Sequence, residues 1–197
     1  RAPPTARAPG VAFPRTSTPT PVPASRFPIV GIGASAGGLE AFTQLLRALP
    51  NDTGMAFVFV QHLDPTHATV LTDLLSRATR MPTSQVEDGT PVQPDHVYVI
   101  PPNHSLTISG GILRLGSRDK TNGRHLPIDT FLASLADDQG ARAIGVILSG
   151  TGSDGAGGLR AIKSAGGVTF AQDERSAQHA GMPHSAVVAG AVDLVLP

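Results

Sequence analysis

From Phe27 onward, apolar positions fall into two alternating regimes. Short, almost unbroken apolar runs ("PIVGIG", "MAFVFV", "HVYVI", "AIGVILS", "GVTFA" and the closing "AVDLVL") are separated by stretches where apolar residues recur at helical spacing. Runs this short and this apolar read as strands buried on both faces, which is how parallel sheets look in sequence, and the periodic stretches between them read as crossover helices. The spacing predicts helices over Leu39–Leu49, Thr66–Ala78, Ile128–Ala136, about Ala156 to Ala165, and briefly near Pro183–Val188. "LTISGGILRL", residues 106–115, alternates with period two around Gly110-Gly111 and predicts one antiparallel hairpin. The expected fold is α/β, a doubly wound, mostly parallel sheet with helices on both faces and that one hairpin. No internal repeat is present.

Residues 1–26 lack this pattern. They are dense in Pro, Ala, Thr and Arg and contain no acidic residue, which predicts a disordered Pro-rich tail or linker ahead of a single domain over residues 27–197. Its repeated prolines would break the amphipathic helix of a transit peptide. Composition narrows the function further. Fifteen basic and fifteen acidic residues balance to a formal charge of zero, so no bulk positive field points to nucleic acid or an anionic membrane. No apolar run approaches the roughly 20 residues of a membrane span, so the expectation is a soluble, cytoplasmic protein. Without cysteine there is no disulfide, thiolate metal site or thiol nucleophile, and any nucleophile is an oxygen.

In doubly wound sheets, reactive groups collect in loops beyond the carboxyl ends of strands. Three such loops carry chemistry. The first, "GASAG", places Ser35 in a G-x-S-x-G turn between strand and helix, where small neighbours leave the hydroxyl clear. The same stretch fits a loose dinucleotide fingerprint through Gly31, Gly33 and Gly37, and it also fits a plain helix cap by Ser35. The second loop puts His62 just past "FVFVQ", where a dinucleotide site would want an acid for the ribose; neutral imidazole is instead the base a serine needs near pH 7. The third, "SGTGSDGAGG", holds Asp154 between strand and helix, either as a helix cap or as the carboxylate that orients an imidazole. Ser35, His62 and Asp154 together compose a triad in the order Ser, His, Asp, unlike the Ser, Asp, His order of α/β-hydrolases. The remaining histidines, His67, His96, His104, His125, His179 and His184, show no metal-ligand spacing, and no metal or cofactor is expected.

These loops lie within a longer series of motifs. "IGASAGGLEA", "QHLDP", "VEDGTPVQPDHVYVIPPN", "GVILSGTGSDGAGGLRAIKSAGG" and "AQDERSAQHAGMPHSAV" occur in order over Phe27 to Pro197. In these motifs the chain resembles the catalytic domain of the chemotaxis protein-glutamate methylesterase family (CheB-like). The resemblance implies a serine hydrolase that demethylates methyl-glutamate, and in many members deamidates glutamine, on methyl-accepting chemoreceptors. It makes Ser35 the nucleophile, His62 the general base and acid, and Asp154 its orienting carboxylate, with backbone N–H groups of Ala36 and Thr151 holding the oxyanion. Arg124, His125, Asp129 and Met182 are carried over as candidate substrate-cleft residues, although a packing role suits Met182 better. Ala36 and Thr151 stand where the family often has threonine and methionine. The Pro-rich start, in place of a receiver domain, resembles the esterase domain of fusions with a methyltransferase and sensory modules. The rival expectation is a catalytically silent module that docks on a receptor or methyltransferase.

Overall fold

The computed structural model describes residues 27–61, 68–117 and 126–197. The strands are β1 (Ile29–Ala34), β2 (Ala56–Gln61), β3 (Thr83–Gln85), β4 (Thr90–Pro91), β5 (Val97–Val99), β6 (His104–Ser109), β7 (Ile112–Ser117), β8 (Ala143–Ile147), β9 (Val168–Gln172) and β10 (Leu194–Leu196). The helices are α1 (Gly38–Ala48), α2 (Ala68–Ser76), α3 (Pro127–Gln139), α4 (Ala156–Ser164) and α5 (Gly181–Val188), with a 3-10 turn at Gly140–Arg142. Seven strands form one sheet in the order β10-β9-β8-β1-β2-β5-β3, every pair parallel. β4, β7 and β6 form a small antiparallel sheet, with β6 and β7 joined at Gly110 and Gly111 as the hairpin pattern predicts.

Period two along β1 decides how the layers form. Val30, Ile32 and Ala34 face a core built with Phe42 and Leu46 of α1 and Leu71 and Leu75 of α2. Ile29 faces the opposite core, with Phe131, Leu132 and Leu135 of α3 and Leu159 and Ile162 of α4. Each such fully buried leucine or phenylalanine stabilises the fold by about 1.5–3 kcal/mol relative to exposure. Gly31 and Gly33 share the α3 face of β1. A Cβ on Gly31 would lie 2.6 Å from Leu132 Cδ2, and one on Gly33 would lie 2.3 Å from Ile128 Cγ2. Two glycines of the loose dinucleotide fingerprint therefore sit within a strand, where their missing side chains let α3 press onto the sheet.

Several boundaries differ from the sequence expectation. The closing strand begins at Leu194 rather than Ala191, because Asp193 leaves the extended path to accept hydrogen bonds from Thr169 N–H and Oγ1 (3.0 and 2.8 Å). α3 runs three residues past Ala136, to Gln139, which is buried. β3 and β4 have no counterpart in the expectation; both are short and mostly polar, so neither produces an apolar run. β4 tolerates Pro91 because it lies on the edge of its sheet.

The chain passes from β1 to β2 on one side and reaches β8 on the other. The loops after β1 and β8 therefore face each other at the switch point of the sheet, where open α/β sheets form their crevice.

Candidate active site

Ser35 follows β1 directly. Its N–H donates to Ser149 O (3.0 Å), extending the β1–β8 pairing one step past the strands, and its carbonyl accepts from Gly38 N–H (3.0 Å) and Gln61 Nε2 (3.1 Å). The chain then reverses through Gly37, whose φ of 76° lies in the left-handed region that favours glycine, and enters α1 at once. Strand, turn and helix are thus compressed around a half-buried serine, the arrangement that G-x-S-x-G predicts.

The loop after β8 is fastened from three sides. Ser149 is 1% exposed; its Oγ donates to Ala36 O (2.8 Å) and accepts from His179 N–H (2.9 Å), and its N–H donates to Gln172 Oε1 (2.8 Å). Gly150 N–H donates to His179 O (2.8 Å), and Gly150 O accepts from Met182 N–H (2.9 Å). Gly150 is also where this loop meets the serine, since a Cβ there would lie 3.0 Å from both Ser35 Cβ and Ser35 N. Met182, a candidate cleft residue by sequence, is 1% exposed and belongs to the core, its sulfur 2.2 Å from where that Cβ would stand. It braces the underside of the loop.

Asp154 ends the same loop at 4% exposure. Its Oδ2 accepts from Ile128 N–H (3.0 Å) and its Oδ1 from Asp129 N–H (2.9 Å), so the carboxylate caps α3 rather than α4, the helix that follows it in sequence. Asp129 reciprocates on α4, accepting from Gly155 N–H (2.9 Å) and Gly158 N–H (2.7 Å) through Oδ1. Burial, first of all, pushes the Asp129 carboxyl above the usual carboxylate range; the Gly158 N–H pulls it back, and the nearby Asp154 charge pushes it further up.

The N–H groups of Ala36 and Thr151 have no acceptor among the described residues, and both residues are exposed. They belong to the nucleophile turn and to the β8 loop, whose Gly150 approaches Ser35. His62, Arg124 and His125 lie outside the described residues. Among the described residues no cluster of His, Asp and Glu is arranged to hold a metal, and no helix is long and apolar enough to cross a membrane.

Ser149, Gln61, Gln172 and Gln178 were not among the residues the sequence singled out for the site. Gln178 lies over the turn, its Oε1 2.6 Å from where a Gly37 Cβ would stand. A polar residue at the end of an apolar strand was the available signal for Ser149 and Gln61. Nothing local marks Gln172 or Gln178.

Comparison with known proteins agrees with this architecture. The family model described as CheB methylesterase matches residues 30–197. The protein-glutamate methylesterase/protein-glutamine glutaminase 2 of Burkholderia lata is 40% identical over 181 residues, 91% of this chain and 53% of that protein. The protein of the same name from Pseudomonas aeruginosa is 38% identical over 173 residues, 86% of this chain and 49% of that one. The chain thus spans about half the length of these curated relatives. An uncharacterized 104.1 kDa protein of Rhodobacter capsulatus is 46% identical over 126 residues, 64% of this chain but 13% of that protein. The crystal structure of the Thermotoga maritima CheB methylesterase catalytic domain superposes with a TM-score of 0.80 at 32% identity, covering 88% of this chain and 94% of that one. With its fold matched and the family model covering residues 30–197, the chain belongs to the CheB methylesterase family.

Proposed function

We propose that this domain hydrolyses γ-methyl esters of glutamate, and deamidates glutamine, on methyl-accepting chemoreceptor-type proteins through Ser35, His62 and Asp154. The observation that carries the reading is the meeting of the Ser35 turn with the β8 loop at the switch point, each loop holding an N–H group with no acceptor among the described residues. The names of the curated relatives, which pair methylesterase with glutaminase, support both reactions.

Ser35 Oγ attacks the ester carbonyl while His62 takes its proton, and Asp154 holds the imidazole in the correct tautomer. The carbonyl oxygen becomes an oxyanion that accepts from Ala36 and Thr151 N–H, donors of a kind that each contribute about 3–4 kcal/mol to such transition states. The C–O bond to methoxide breaks, His62 returns the proton, and methanol leaves; with glutamine the C–N bond breaks and ammonia leaves. Water then attacks the acyl-enzyme, its proton passing to His62 and on to Ser35, and glutamate is released. Arg124, His125 and Asp129 were the remaining cleft candidates; the hydrogen bonds of Asp129 support a role within the protein instead. The cytoplasmic face of a receptor bundle is the fitting place for this chemistry. The small share of the Rhodobacter protein that is matched supports the reading that such domains belong to longer signalling chains.

Methanol release from a methylated receptor fragment, compared with Ser35→Ala, tests the reading. Release that vanishes in the variant supports it. Release that survives removes Ser35 as nucleophile, and binding without release from either protein points to a silent docking module.

A further inference from the structure

Asp129 and Asp154 answer each other across the meeting point of α3 and α4, and we infer that Asp129 is a positioning residue that sets Asp154 for the triad. The inference rests on the role proposed above for Asp154.

Asp154 stands just before α4 yet binds two N–H groups of α3, one through each carboxylate oxygen. Rotating that carboxylate would break one of the two bonds. One of the donors is the N–H of Asp129 itself. The Asp129 side chain then reaches back to Gly155 N–H, which belongs to the peptide directly after Asp154, and to Gly158 N–H in the first turn of α4. The result is a closed ring: Asp154 carboxylate to Asp129 N–H, and Asp129 carboxylate to the peptide that carries Asp154. Holding that peptide plane fixes the backbone from which the Asp154 side chain springs.

The glycines of α4 make the ring possible. A Cβ on Gly157 would lie 3.2 Å from Asp129 Oδ1, and one on Gly158 would lie 2.5 Å from Leu132 Cβ, so bulkier residues would lever the two helices apart. Both helix N-termini then direct their partial positive charge at a carboxylate. Each carboxylate oxygen accepts more than one hydrogen bond, so an Asp154 oxygen held by α3 can also receive an imidazole N–H.

One atom, Asp129 Oδ1, accepts from both Gly155 N–H and Gly158 N–H. An amide keeps that acceptor oxygen, so asparagine should replace Asp129 whereas alanine should not. The test compares Asp129→Asn, Asp129→Ala and Asp154→Asn in the whole chain. Two rates are read: labelling of Ser35 by a fluorophosphonate, which reports the triad whatever the natural substrate, and methanol release resolved into kcat and KM.

Asp129→Asn is expected within about threefold of the parent in both rates, since it retains the acceptor oxygen and loses only the charge-assisted part of each bond. Asp129→Ala is expected to lose about 30- to 100-fold in labelling and in kcat with KM within about twofold, as for a displaced catalytic group. Asp154→Asn should lose more, on the order of 10⁴-fold in kcat. Should Asp129→Ala fail to fold, Asp129→Ser takes its place with the same expectation, because its shorter side chain cannot span both donors. A folded Asp129→Ala or Asp129→Ser with parental rates overturns the inference, leaving Asp129 a purely stabilising residue. Loss in Asp129→Asn as deep as in Asp129→Ala also overturns it, because charge would then be the requirement. If the parent labels at Ser35 but releases no methanol, the substrate reading fails while labelling still decides the role of Asp129. A parent that does neither removes the triad and this inference with it.

Discussion

Replacing Ser149 by alanine removes one oxygen from the junction of three loops. That oxygen donates to Ala36 O at 2.8 Å and accepts from His179 N–H at 2.9 Å, in a residue that is 1% exposed. The variant leaves one carbonyl and one N–H without their partner, each at about 1–3 kcal/mol if no water replaces it. Backbone pairing is untouched, since Ser149 O still accepts from Ser35 N–H. A total of roughly 2–6 kcal/mol follows from the two groups. For a chain of this size 1 kcal/mol moves Tm by about 2–4 °C, so Ser149→Ala should melt roughly 4–24 °C below the parent. Catalysis should suffer as well, because the Ala36–Gly37 peptide is then free to tilt beside the Ala36 N–H proposed to hold the oxyanion. A displacement there predicts a kcat about 10- to 100-fold lower with little change in KM. Thermal denaturation followed by circular dichroism and methanol release on the same samples would measure both. A Tm within about 2 °C of the parent together with an unchanged kcat would refute the view of Ser149 as the clamp of the nucleophile turn.

Two further outcomes concern the scaffold. Gly33→Ala places a methyl 2.3 Å from Ile128 Cγ2 and 2.8 Å from Ile147 Cδ1, so overpacking should destabilise by about 1–3 kcal/mol in urea unfolding; an unchanged midpoint would mean that α3 is not pressed onto β1. Asp193 has its carboxyl held below the usual range by Lys163 first and then by Thr169, with Lys163 Nζ 2.9 Å away. A folded pKa below the ordinary 3.8 means the stabilisation is present above that value and is lost as pH falls through the folded pKa. Asp193→Asn should therefore flatten the acid limb of the stability profile below about pH 4, and an unaltered limb would place the acid sensitivity elsewhere.

Much of this architecture is legible in the chain. The apolar runs of β1, β2 and β8 are locally unambiguous because a strand buried on both faces has no polar position to spare. Gly37 is legible too, since a strand that must turn into a helix within a few residues needs a left-handed backbone somewhere. The resemblance carried by "IGASAGGLEA" and "GVILSGTGSDGAGG" leads to the family that the comparisons show. Gly31 and Gly33 were less legible: the spacing that suits a phosphate-binding turn equally suits close packing, and only the position of α3 separates the two.

By itself, then, the sequence determined the element types, the parallel sheet, the serine turn and the family, all of which depend on residues close together in the chain. Tertiary structure alone decided the strand order that sets the β1 and β8 loops face to face, the packing of Met182 beneath Gly150, and the exchange of caps between Asp154 and Asp129. The physical reason is that side-chain polarity is specified locally whereas its partner is chosen in space. A capping aspartate looks the same whether it serves its own helix or, as Asp154 does, one that begins 27 residues earlier in the chain at Pro127. Ser149 joins Ala36 across 113 residues of sequence, and no pattern in either neighbourhood names the other.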